Sequence, residues 1–179
     1  TQNYESNLIL HDEAVGEATV VVEADEFDRS FLHLHPNVAV VTSADPDHLD
    51  IYGNSDHMVE GFRQFVDLIA EEGQLYIQSK ALGKLGIPSN VSVKVREYGI
   101  DKGEIRAKDI HVSPSAFLFD YVSKNKDIKG LELHMHGFHN VENILPAISI
   151  ALENGLDESV IREGVRTYKG VKRRFEIWL

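Results

Sequence analysis

Two acidic segments follow apolar runs in this chain: Glu23 and Asp25 close VVEADE, and Asp45, Asp47, His48 and Asp50 crowd SADPDHLDIYG. Carboxylates in such a cluster suit a hard cation such as Mg²⁺, which takes oxygen ligands and keeps several waters; histidine is a less usual companion for it. The competing reading is a solvated acidic loop, and spacing alone leaves both open. Farther along, Asn140 and Asn143 in GFHNVEN stand three apart at a helix start. Both amides could face one ligand there, while Asn140 could equally serve as a helix cap. The segment KGVKRRF concentrates cations, including Arg174, in an otherwise acidic chain. An arginine there could make a bidentate phosphate contact, or the segment could be a solvated basic turn. His33 and His35 in LHLHP, and His134, His136 and His139 in LHMHGFHN, have a spacing that can bind zinc. No cysteine or His-Glu-x-x-His motif accompanies them, so packing or surface histidines explain the first pair better.

The elements that must position these groups alternate in the manner of an α/β fold. ATVVVEADE (18–26) and NVAVVTSAD (37–45) are β-branched runs that break into acids and turn residues, the pattern of buried parallel strands. Ligands in such sheets collect outside the carboxyl ends of the strands, where both acidic segments would emerge. In SDHMVEGFRQFVDLIAEEG, Met58, Phe62, Phe65, Val66 and Ile69 share one helical face, with Ser55 placed to cap and Gly73 to stop the helix. QLYIQS (74–79) reads as the next strand. Residues 80–136 change character: VSVKVREYG, IRAKDIHV, AFLFDYVS and LELHMHG alternate at period two, which predicts appended antiparallel hairpins rather than a separate domain. HNVENILPAISIALENG and DESVIREGVRTYKG then read as helices. Pro146 predicts a kink or late start in the first, and Asp157 a cap on the second. The fold class expected is α/β, a mainly parallel Rossmann-like sheet flanked by helices, with a small antiparallel sheet appended.

Bulk properties narrow the function classes. With 179 residues, one domain is expected. A formal charge of −11 argues against a nucleic-acid partner, and no apolar run approaches the roughly 20 residues of a membrane helix. The absence of cysteine excludes disulfides and thiolate metal sites and fits a cytoplasmic setting. The chain begins at Thr1 and closes on RRFEIWL, so both ends read as cut from something longer.

The order of these pieces, VVEADEFDRSFLHLHPNVAVVTSADPDHLDIYG, then GFHNVENILPAISIALENG, then GVKRRFE, resembles the central ATP-binding domain of the Mur ligases. Within that family it is most similar to the members that join L-alanine to UDP-N-acetylmuramate. The resemblance implies ATP and Mg²⁺ as cofactors, small-molecule substrates, and no nucleic-acid or membrane partner. It assigns Glu23 and His48 to Mg²⁺ and to catalysis, Asn140 and Asn143 to adenine, and Arg174 to the nucleotide phosphates. It also makes residues 1–179 a partial domain. The family's glycine-rich phosphate loop is not in the sequence, nor are the UDP-binding amino-terminal domain and the carboxy-terminal domain. Some relatives carry a modified lysine on the helix after the histidine motif, and no lysine stands between Gly53 and Ser79. The fragment is therefore expected to fold but not to turn over substrate. Alternatives are the sibling ligase that attaches a muramyl tripeptide, a metal-dependent phosphoesterase, and a non-catalytic binding module.

Overall fold

The computed structural model describes residues 19–26, 29–45, 55–88 and 91–170. Six strands form one sheet in the order β1-β2-β3-β4-β5-β6: β1 (Val38–Val41), β2 (Gln74–Gln78), β3 (Lys94–Gly99), β4 (Ile105–Val112), β5 (Phe117–Val122) and β6 (Asp127–Leu133). The first four run parallel, β3 and β4 meeting only at Tyr98↔Ile105 and Gly99↔Arg106, and β4-β5-β6 is an antiparallel meander. The appended strands thus continue the main sheet edge to edge. VSVKVREYG forms β3, which is parallel to β2 and not part of a hairpin. Period-two alternation marks a strand but says nothing of its direction, which the crossover sets.

Helices cover both faces. On one side lie α1 (Ser55–Asp67), α2 (Ser79–Leu85) and a short 3-10 turn (Ser30–His33). There Phe31, Phe65, Val66 and Ile69 pack against Val41, Leu75 and Ile77. On the other side lie α3 (Phe138–Glu153) and α4 (Glu158–Thr167), whose Val141, Leu145, Ile148, Ile161 and Val165 pack against Tyr76, Tyr98, Ile105 and the inner face of the meander. Alternate residues of β2 feed both layers, as a strand covered on both faces requires.

Several local expectations change. Residues 19–26 form no strand, and Val20, Val21 and Val22 are 79%, 92% and 58% exposed. A β-branched run becomes a strand only with a ladder partner and a layer over it, and neither is present among the described residues. The first helix ends at Asp67, six residues before Gly73, and Ile69 is buried from the turn that follows. The capping side chain of Ser55 lies outside the described residues. Residues 79–85 form a helix, α2, started by Gln78, whose Oε1 accepts from the N–H groups of Lys80 (2.7 Å) and Ala81 (3.0 Å). The helix α3 runs unbroken through Pro146, which is buried within it, and Asp157 stands at the cap position of α4 without a capping side-chain bond.

Candidate functional site

The carboxyl ends of β1, β2 and β3 point the same way, and the side chains of interest gather there. Beyond β1, residues Ala24, Glu26, Thr42, Ser43, Asp45 and Phe62 border a crevice of about 210 Å³. Its polar lining is oxygen: two hydroxyls and two carboxylates, a donor set that suits a hard cation retaining waters. Glu23 adjoins this lining through Ala24, is exposed, and projects from irregular chain rather than from a strand end. Behind it, the carbonyl of Asp25 accepts from Phe31 N (3.3 Å) and Ser30 Oγ (3.3 Å), tying the segment to the 3-10 turn.

Asp45 is held from two sides. Ser43 Oγ donates to Oδ2 (3.0 Å) and accepts from the Asp45 backbone N–H (2.9 Å), while Lys84 of α2 donates to Oδ1. The Lys84 bond first, and the Ser43 bond second, hold the carboxyl below the usual carboxylate range. The loop after β1 is therefore strapped to α2, a link across 39 positions of sequence. Asp47, His48 and Asp50 lie outside the described residues, as does Arg174. Among the described residues, no three His, Asp or Glu side chains gather in a way that could hold a metal.

The amino end of α3 forms the other half of the site. Gly137, at φ 102°, turns the chain from β6 into the helix, and Phe138 packs edge-on against Phe117 of β5 with ring centroids 5.2 Å apart. Asn140 Nδ2 donates to the His136 carbonyl (2.7 Å), a local bond that braces the turn; the cap position itself is Gly137, without a side-chain cap bond, so Asn140 does not cap the helix. Its Oδ1 remains an acceptor. Asn143, one turn on, is exposed, and its amide has no hydrogen bond within the described residues. Between them, Glu142 Oε1 accepts from the backbone N–H of Ile100 (3.2 Å), the residue that follows β3.

The histidine pairs do not form a site among the described residues. His33 and His35 are exposed, and His134 pairs with Glu132 at 3.1 Å. Sequence reasoning also missed Glu142, Ser79 and Lys84, whose partners are distant in the chain; the one local signal was the position of Glu142 between two candidate asparagines.

A larger hollow of about 400 Å³ lies at the other end of the sheet, between β3, β5 and the α3–α4 junction. Both of its cations are paired, Arg96 with Glu153 (2.5 Å) and Lys126 with Glu158 (3.1 Å), and the Tyr121 and Ser149 hydroxyls bond each other (2.8 Å). Chemistry is better served at the carboxyl end, where neither Glu23 nor Asn143 has a side-chain hydrogen bond among the described residues.

Residues 2–151 match the model of the Mur ligase middle domain. The chain is 38% identical over 176 residues to the UDP-N-acetylmuramate–L-alanine ligase of Christiangramia forsetii, and 39% identical over 176 residues to that of Porphyromonas gingivalis. Each alignment covers 98% of this chain but only 36% and 38% of the relative, so the chain spans little more than a third of their length. Among solved structures, the UDP-N-acetylmuramate-alanine ligase of Thermotoga maritima superposes with a TM-score of 0.70 at 25% identity, covering 87% of this chain and 34% of that one. The UDP-N-acetylmuramate:L-alanyl-γ-D-glutamyl-meso-diaminopimelate ligase of Neisseria meningitides gives 0.66 at 25% identity, covering 84% and 48%. Because the family model spans residues 2–151 of the 179, this chain belongs to the Mur ligase family.

Proposed function

We propose that the chain is the nucleotide-binding middle portion of an ATP-dependent amide ligase that adds L-alanine to UDP-N-acetylmuramate in the synthesis of cell-wall precursors. The observation that carries this reading is the 38–39% identity, over 98% of the chain, to two enzymes of that name. The geometry supports it: an oxygen-lined crevice and an amide pair lie at the carboxyl end of the parallel strands, where nucleotides bind in such folds.

In the proposed reaction the muramate carboxylate attacks the γ-phosphorus of ATP, the bond to the β,γ-bridging oxygen breaks, and ADP leaves an acyl phosphate. The amine of L-alanine then attacks the acyl carbon, phosphate departs, and the ammonium proton is lost to form the amide. A carboxylate is a poor electrophile until phosphorylated, which accounts for the ATP consumed. Glu23 and His48 would hold Mg²⁺, which neutralises phosphate charge when bound. Asn140 and Asn143 would grip the adenine edge, and Arg174 the phosphates, bidentately. The partners are small molecules, and the setting is the cytoplasm; no described helix is long and apolar enough to cross a membrane.

The likeness to the tripeptide-attaching ligase of Neisseria meningitides gives the sibling reaction standing as a second reading. Loss of ligation in the intact enzyme on Glu23→Ala or His48→Ala is expected, and near-normal turnover in both would overturn the metal assignment.

A further inference from the structure

Besides the packing of Phe138 and Val141 and the local bond of Asn140 to His136, the opening turns of α3 have a polar tie to the end of β3. Glu142 is half-buried, and its Oε1 accepts the backbone N–H of Ile100 at 3.2 Å. The surroundings leave this carboxylate little room. A Cβ on Gly99 would lie 3.2 Å from that same Oε1, 3.0 Å from Ser79 Oγ and 3.0 Å from the Lys102 carbonyl. Ser79, where β2 passes into α2, donates in turn to the Tyr98 carbonyl (3.2 Å). The end of β2, the end of β3 and the head of α3 therefore meet around Gly99, in a space that a side chain at that position would close. Glu142 also helps, after burial, to push the Tyr98 phenol upward, so its charge is felt in the layer beneath the site.

We propose that Glu142 is a positioning residue for the nucleotide: by tying the opening turns of α3 to Ile100, it fixes Asn143, and one turn back Asn140, against the carboxyl ends of β2 and β3. This rests on the nucleotide reading above. Successive helical residues point about 100° apart, so Glu142 can anchor inward while Asn143 faces out. Side-chain tips lie roughly 5–6 Å from the helix axis, so rolling the turn by about 10° displaces an amide by roughly 1 Å. A hydrogen bond does not survive that displacement, and errors of that size in placing a bound group are costly. The anchor needs an oxygen acceptor at this position, which a carboxylate or an amide supplies.

The test uses the intact ligase carrying Glu142→Ala, Glu142→Gln or Gly99→Ala, with KM measured separately for ATP, L-alanine and UDP-N-acetylmuramate. Glu142→Ala should raise the KM for ATP about five- to tenfold, the equivalent of one misplaced hydrogen bond. Its kcat and the other two KM values should stay within about twofold, and its preference for ATP over inosine triphosphate should fall. Glu142→Gln keeps an oxygen acceptor for Ile100 and should restore the wild-type KM. Gly99→Ala, which crowds the carboxylate, should raise the KM for ATP as Glu142→Ala does. The proposal is overturned if Glu142→Ala leaves the KM for ATP unchanged, if Gln behaves like Ala, or if all three KM values rise together. Should Glu142→Ala fail to fold, the Gln and Gly99→Ala pair decides by the same criteria. A wild-type enzyme indifferent to ATP would instead remove the nucleotide reading itself.

Discussion

Asn143→Ala separates binding from stability more cleanly than any other single change at the site. The side chain is exposed and makes no hydrogen bond within the described residues, so its removal should alter folding free energy by no more than about 0.5 kcal/mol. For a chain of this size that is a Tm shift of about 1–2 °C. On ATP the effect should be larger. An amide gripping a base edge can make two hydrogen bonds of about 0.5–1.5 kcal/mol each, so their loss weakens ATP binding by roughly 5- to 150-fold. Asn140→Ala is the internal control: its bond to the His136 carbonyl (2.7 Å) also holds the turn, so it should cost about 1 kcal/mol of stability besides ATP affinity. The assay is steady-state KM for ATP in the intact ligase beside thermal unfolding of the same variants. If Asn143→Ala lowered Tm by several degrees and left the KM for ATP unchanged, Asn143 would be a structural residue and the reasoning refuted.

Other outcomes follow from the packing and the charges. Leu145→Ala, at a fully buried position between α3 and the sheet, should cost about 2–5 kcal/mol and lower Tm by several degrees; a loss under 1 kcal/mol in urea unfolding would contradict the assigned core. Tyr121→Phe removes the bond to Ser149 (2.8 Å), but Ser149 still donates to the Leu145 carbonyl (3.1 Å), so a loss of about 1 kcal/mol is expected rather than the full cost of an orphaned hydroxyl. For Asp45, the lowered folded pKa means that its contribution is present above the ordinary value of 3.8 and is lost as pH falls through the lowered one. Lys84→Ala should return the Asp45 titration, followed by carboxyl NMR, toward 3.8, with less than about 1 kcal/mol of stability lost because the pair is exposed. An unmoved Asp45 titration would show that the strap does not hold in solution.

The sequence made the long elements and the family legible, but not the couplings. The faces of α1 and α3 follow from 3.6-residue periodicity, and Val141, Leu145 and Ile148 are buried as that pattern requires. Direction and pairing were harder to read. VSVKVREYG alternates equally well for a hairpin or a parallel strand, and only the helix inserted at residues 79–85 makes the parallel crossover possible. That helix is too short for periodicity to register, and Gln78 is not among the usual capping residues. Val20–Val22 have the composition of a strand but no ladder partner among the described residues. Composition cannot supply one. The Asp45–Lys84 and Glu142–Ile100 links join residues 39 and 42 positions apart, and no local pattern announces them.

The most direct test of the central claim is product formation by the intact ligase given ATP, Mg²⁺ and UDP-N-acetylmuramate with either free L-alanine or a preassembled tripeptide. Phosphate release and the mass of the amide product would be followed together. Phosphate should be released in step with an alanyl product, with neither formed when ATP or the muramate is withheld. Product only from the tripeptide would move the protein to the sibling reaction. Phosphate-ester cleavage without ATP would contradict the ligase assignment outright.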